Sequence, residues 1–183
     1  KMAKIKIKKA FLGVGGITLG SNLAEGSIVV SRADLEITDL DIKRAVSASE
    51  ANLKDSANKQ IIHTVPLQFK LDGKKVLGRP IGLKGGVLEV RTLFISTLEQ
   101  HLNDLITAIE EAGVEVEDVI ASPIAASFVT LTKLQKAAGC LLLNIGAETV
   151  SLVIFEEGIP ISLGVFPIGS SDITNDIALG LKI

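Results

Sequence analysis

Tryptophan and tyrosine are absent from this chain, and six phenylalanines supply its whole aromatic content of 3%. Its core must therefore be built from Ile, Leu, Val and Ala. A single cysteine, Cys140, excludes a disulfide framework, and its place in the apolar run Cys140-Leu-Leu-Leu143 reads as a buried, inert thiol. Two separated histidines, His63 and His101, cannot compose a zinc site with that one cysteine, so no metal ligand set is expected. The lack of disulfides fits a reducing cytoplasm. Neither charge is in marked excess: nineteen basic residues stand against twenty-one acidic ones, which leaves nothing global to favour a nucleic-acid partner or an acidic surface. No apolar run approaches the ~18 residues of a membrane span, and the lysine-rich start has no apolar segment of signal-peptide type. Neither a spanning helix nor export is expected.

What is present is the composition of a folded chain, with 47% hydrophobic and 22% charged residues. A length of 183 residues accommodates one ordinary domain or two small ones. Residues 4–9 alternate basic and apolar side chains with a period of two, which predicts a strand with isoleucines on one face and lysines on the other. Glycines at 13, 15, 16, 20 and 26 punctuate the next stretch and predict short strands joined by turns. Gly13-x-Gly15-Gly16 has the glycines of a phosphate loop, but no helix start and no Lys-Ser/Thr pair follows, so it is not read as one.

Thr38-Asp-Leu-Asp41 has the form of a helix cap with an acidic third residue, and Ile42, Ala45, Val46, Ser49 and Leu53 follow at helical spacing. A helix is expected over residues 38–54. Alternation then returns: Val65, Leu67, Phe69 and Leu71 share a face before the Asp72-Gly73 turn, and Leu88, Val90, Thr92 and Phe94 form a second run. These predict two antiparallel strands around a glycine- and proline-marked loop at 78–86. Ser96-Thr-Leu-Glu99 reads as a capping box, and Leu98, Leu102, Leu105, Ile106 and Ile109 as the apolar stripe of a second helix stopped by Gly113. From residue 114 the pattern is strand, short helix, strand, turn, strand, strand, helix, so a domain boundary is placed near Gly113.

The residues with chemical potential lie in that last part. Asn144-Ile-Gly-Ala-Glu-Thr149 sits between two apolar runs and reads as a tight hairpin, in which Gly146, the small Ala147 and Thr149 can bring open amides and a hydroxyl close to a phosphate. An ordinary hairpin has the same letters. Gly169-Ser170-Ser171 closes a strand and opens a helix whose Ile173, Ile177, Ala178 and Leu181 share a face; unpaired amides at such a start are a generic anion recipe, and a plain cap by Ser171 again fits. The combination of both turns within so short a stretch is more specific than either alone.

Leu142-Leu-Asn-Ile-Gly-Ala-Glu-Thr-Val-Ser-Leu-Val-Ile-Phe-Glu-Glu-Gly158 resembles the second phosphate-binding hairpin of the actin, heat-shock chaperone and sugar-kinase superfamily, whose pattern is D-x-G-x-x-T followed by a strand and a glycine. Phe166-Pro-Ile-Gly-Ser-Ser-Asp-Ile-Thr-Asn-Asp-Ile-Ala178 is similar to the version found in the FtsA cell-division family. Upstream, Ile28-Val-Val-Ser-Arg-Ala-Asp-Leu-Glu-Ile-Thr38, His63-Thr-Val-Pro-Leu-Gln-Phe69 and Pro80-Ile-Gly-Leu-Lys-Gly85 each resemble the FtsA segment expected there, so the resemblance covers essentially the whole chain.

That resemblance implies a mixed α/β (α+β) chain: a partial actin-like (ribonuclease H-like) ATPase fold with an inserted SHS2-type 1C domain. Residues 1–33 would end subdomain 1A, residues 34–113 form the insert, residues 114–138 return to 1A, and residues 139–183 begin subdomain 2A. It implies nucleotide-binding positions at Asn144, Gly146, Ala147, Glu148, Thr149 and Gly169 and no catalytic residue. Asn144 departs from the family's acidic residue; a neutral amide there weakens organisation of a metal and favours ATP as a conformational ligand, with at most weak ATPase activity. The complete protein would bind ATP with magnesium, self-associate into actin-like filaments, and tie FtsZ and other division proteins to the inner face of the cell membrane through a C-terminal amphipathic helix. This segment is expected to be an internal piece without the first phosphate loop or that helix, and so to bind ATP poorly by itself. A PilM-like cytoplasmic adaptor of type IV pili shares the layout and is the alternative. A superfamily kinase is disfavoured by Asn144 and the lack of an acceptor site.

Overall fold

The computed structural model describes residues 7–182, so the first half of the strand expected over residues 4–9 falls outside it, and of the other half only Lys9 lies in a strand. The described residues form two compact units, one of residues 7–20, 58–63 and 95–182 and the other of residues 21–57 and 64–94.

In the first unit, β1 (Lys9–Val14) pairs in parallel with β6 (Glu115–Ala121). Parallel neighbours cannot be joined by a hairpin, and here the whole stretch between them intervenes in sequence. Helix α2 (Glu99–Glu111) precedes β6, and its stripe of Leu102, Leu105, Ile106 and Ile109 packs with Leu12 and Val14 of β1 and with Val116 and Val119 of β6. A boundary at Gly113 would leave α2 with the insert; the apolar stripe instead commits it to the β1–β6 pair. Gly113 does stop the helix. At φ +80° it donates its N–H to Glu110 O (2.9 Å) while Val114 N–H reaches Ile109 O (3.3 Å), the paired bonds of a Schellman turn.

The capping box expected at Ser96 does not form. Strand β5 (Val87–Leu98) runs directly into α2, leaving Ser96 buried within the strand and the Thr97 hydroxyl bonded to Thr18 Oγ1 at 2.9 Å. The cap position falls on Leu98, which has no polar side chain, and the first helical amide, Glu99 N–H, donates to Asn58 O at 2.9 Å.

Strands β7 (Cys140–Ile145), β8 (Val150–Glu156) and β9 (Ile159–Phe166) form an antiparallel meander. Helices α3 (Ser122–Thr130) and α4 (Lys133–Ala138) pack against β8, burying Val153, Phe155 and Leu163. Where the sequence suggests one short helix there are two, because Thr132 and Gln135 build a capping box for α4. The alternate face, with Leu141, Leu143, Ile145 and Ile154, is exposed. Cys140 pairs with Phe155 at the start of β7 and is half-buried, less enclosed than its apolar run implies.

Both histidines have structural bonds. His63 Nε2 accepts the Ala121 N–H at 3.0 Å, which places the ring proton on Nδ1; burial pushes its pKa below the ordinary value, against the opposing effect of Asp118. His101 Nδ1 lies 3.1 Å from Thr18 Oγ1. That threonine belongs to the turn after Gly16, whose carbonyl takes the Leu19 N–H at 3.1 Å before β2 (Gly20–Val29) begins, so no helix follows these glycines.

The four-stranded sheet has the order β2-β5-β3-β4, with β3 at Lys59–Leu71 and β4 at Lys74–Val76; β3 and β5 contribute residues to both units. The short β4, unforeseen in the sequence, folds back from the Asp72-Gly73 turn to put Val76 opposite Phe69. In the second unit, α1 (Asp39–Ala51) starts with a true capping box: the Asp41 carboxylate accepts the Thr38 hydroxyl at 2.6 Å and the Thr38 N–H at 3.0 Å. Those bonds hold the Asp41 pKa below its ordinary value. Ile42 and Ala45 then join Val30, Ile37, Phe69, Leu71, Leu88 and Val90 in one core. Gly26 lets α1 approach, because a Cβ there would collide with the backbone of Ala45 and Ser49. Beside it the fully buried Ser49 hydroxyl donates to Val46 O at 2.7 Å, which leaves its oxygen to accept from the Thr92 hydroxyl at 3.0 Å.

Candidate functional site

The hairpin between β7 and β8 is closed by ladder pairs Ile145–Val150 and Asn144–Ser151, leaving residues 146–149 as the turn. Gly146 N–H donates to Thr149 O at 2.8 Å, a short closure that leaves Ala147 and Glu148 exposed at the tip. Asn144 is an exposed strand residue two positions ahead of the turn, and Thr149 is half-buried at its far end.

Gly169 and helix α5 (Ser170–Leu181) come to the same place. Ser170 N–H donates to Gly146 O at 2.9 Å and Ser171 N–H to Ala147 O at 3.0 Å. The amides that the Gly169-Ser170-Ser171 motif offers to an anion are therefore already used, and the generic anion reading of that helix start does not describe it. Ser171 is not the cap either. The cap residue is Gly169, whose N–H donates to the Asp172 carboxylate at 2.8 Å.

These bonds fix the orientation of the turn. The peptide bonds among the described residues are trans, and in a planar trans peptide the carbonyl of one residue points opposite to the N–H of the next. With the Gly146 and Ala147 carbonyls both directed at α5, the N–H groups of Ala147 and Glu148 both point away from it. Neither has a backbone partner among the described residues. Both amides are therefore open at the exposed tip, and the positive end of α5 polarises both peptides in the sense that favours an anion.

The structure thus brings Gly146, Ala147, Glu148 and Gly169 together, with Thr149 closing the turn and Asn144 on the adjoining strand. Sequence reasoning missed Asp172 and the clamping role of the Ser170 and Ser171 amides. The spacing of Asp172, three residues after the cap, was a usable signal, the same as in Thr38 and Asp41. The second unit has its own cleft of about 440 Å³, lined by side chains including Glu25, Lys70, Glu89 and Arg91 and by none of these residues. No helix among the described residues is long and apolar enough to cross a membrane.

Fold and hairpin together define an actin-like α/β protein carrying an inserted SHS2 domain. The profile of the SHS2 domain inserted in FtsA matches residues 16–96, and that of cell division protein FtsA matches residues 141–183. The FtsA of Bacillus subtilis (strain 168) is 30% identical over 182 residues, covering 100% of this chain and 41% of that protein. The FtsA of Pseudomonas aeruginosa is 29% identical over 182 residues, covering 100% of the chain and 43% of the relative, and that of Escherichia coli (strain K12) is 23% identical over 178 residues, covering 97% and 41%. The chain belongs to the FtsA family of cell-division proteins. It spans about two fifths of the length of these curated relatives. Among solved structures, a chain of the PilM-PilN type IV pilus biogenesis complex superposes with a TM-score of 0.57 at 18% identity, over 90% of this chain and 44% of that one, which speaks to the fold alone.

Proposed function

We propose that this chain is the part of an FtsA-type cell-division adaptor that holds its inserted contact domain and its second phosphate-binding hairpin. The observation that carries the reading is the 146–149 turn, clamped on α5 with two amides facing outward, within the stretch matched by the FtsA profile. In the complete protein the Ala147 and Glu148 amides and the Thr149 hydroxyl would receive phosphate oxygens of ATP, with Gly146 and Gly169 keeping the backbone close. These neutral donors suit an anion. Asn144 offers a metal-bound water an amide oxygen without charge, which suits ATP as a ligand that sets conformation more than one that is rapidly turned over.

The complete protein would polymerise in the manner of actin and join the FtsZ ring to the inner face of the cell membrane. The inserted unit would be its contact module, since β2 and β4 lie at the two edges of the four-stranded sheet and offer backbone groups to a neighbour. The deciding experiment uses the complete protein: ATP binding with magnesium, and capture of FtsZ with and without nucleotide. Nucleotide binding and FtsZ capture are expected. Capture of a pilus-protein peptide in place of FtsZ, or ATP consumption that depends on a small-molecule acceptor, would overturn the adaptor reading.

A further inference from the structure

We propose that Gly169 and Asp172 are positioning residues for the phosphate turn, setting its affinity for nucleotide without touching the nucleotide. The inference rests on the hairpin's proposed role and adds the device that holds it in shape.

The argument starts from the backbone of Gly169. Its φ of −146° and ψ of −172° are extended values open to any residue, so no conformational demand calls for glycine there. The demand is for space. Gly169 is buried, and a Cβ on it would collide with the Ala147 carbonyl and lie 2.6 Å from Glu148 N. These atoms belong to one peptide group, whose carbonyl bonds α5 through Ser171 and whose Glu148 amide faces outward. A side chain at 169 must therefore push the turn off the helix, breaking the bonds from Ser170 and Ser171 and releasing the Ala147 and Glu148 amides from their common direction.

Asp172 completes the device. Its carboxylate takes the Gly169 N–H at 2.8 Å while its own N–H donates to Gly169 O at 3.2 Å, so the residue in contact with the turn is held from both its backbone groups. An asparagine at 172 keeps an acceptor oxygen; an alanine leaves the Gly169 N–H without it.

The test compares ATP and adenosine binding by the complete protein in G169A, D172A and D172N. Loss of two oriented amide donors predicts at least a ~10-fold weaker ATP affinity in G169A, with adenosine affinity unchanged. D172A should lose roughly 3- to 10-fold for ATP, and D172N should restore most of it. A merely structural lesion would weaken both ligands together, and that parallel loss would overturn the proposal. Hydrogen exchange supplies a readout without ligand: the Ser170 and Ser171 amides should exchange faster in G169A, and unchanged exchange there also overturns it. Should G169A fail to fold, the D172A and D172N pair decides: no difference between their ATP affinities refutes the device. If the unsubstituted protein does not bind ATP, the nucleotide reading itself falls, and this inference with it. If that protein binds ATP and the variants match it, only the positioning role is lost.

Discussion

Helices α1 and α5 are written in nearly the same hand, yet they are stabilised in different places. Each has an acidic residue at its third position that turns back on the cap, an apolar stripe, and a close approach that a glycine permits, Gly26 of β2 against α1 and Gly169 against the hairpin. In α1 the stripe is consumed: Ile42 and Ala45 lie in a closed core. In α5 no residue is buried, and Ile173, Ile177 and Leu181 stand in solvent. What anchors α5 to the rest of its unit is main chain, at its first turn, where it grips the hairpin. An apolar stripe therefore declares which face a helix would bury and says nothing about whether that face is covered.

The contrast can be broken by substitution. The largest effect is expected at Leu88, which is fully buried beside α1: Leu88→Ala should cost about 2–5 kcal/mol in urea unfolding of the chain. Its counterpart, Ile177→Ala on the open face of α5, should stay within about 0.5 kcal/mol. Similar losses at both sites would show that α5 is buried after all. Next comes Gly26→Ala, where the new methyl meets helix backbone; about 1–3 kcal/mol is expected, the ordinary cost of overpacking. A neutral result would mean that α1 moves off its sheet freely.

Smaller still is Thr38→Ala, which removes the side-chain half of the α1 cap and should lower stability by about 1 kcal/mol, seen as a shifted urea midpoint with an unchanged slope. The smallest effect expected is a pH dependence from His63. Its folded pKa lies below the unfolded value, so the unfolded state binds the extra proton: the stabilisation is complete above about pH 6.5 and falls away as the pH drops from there through the folded pKa. His63→Gln should flatten that slope in thermal melts at pH 5 to 7.5, roughly the window set by the ordinary histidine pKa. A slope unchanged in H63Q would assign the dependence to other groups.

Where sequence and structure agree, a local signal sufficed. Thr38 with Asp41 gave the start of α1, Gly113 the end of α2, and Gly146 the hairpin, each through bonds that reach only a few residues along the chain. The failures share a cause as well. Ser96 had the spacing of a cap, but a strand carried through to residue 98 and a distant carbonyl, Asn58 O, satisfied the helix instead. The start of α5 looked like a set of free amides because the letters of residues 169–171 do not reveal that Gly146 and Ala147 arrive to take them. Likewise, the stripe of α2 was plain while its partners, β1 and β6, lay far off in sequence. Candidate site residues were thus legible as a neighbourhood, and their orientation was not.

The notch at Gly26 and the hydroxyl pair beside it also make α1 an indexed part. One added residue turns the rest of a helix by about 100° and advances it by about 1.5 Å. Inserted anywhere between Asp39 and Ala45, it would swing Ser49 away from Thr92 and bring another side chain into a notch that has no room for one. The same residue added to the exposed loop at 54–57 leaves that fit untouched. The inserted unit can therefore vary in length after this helix far more readily than within it, so change in its size should collect on that side.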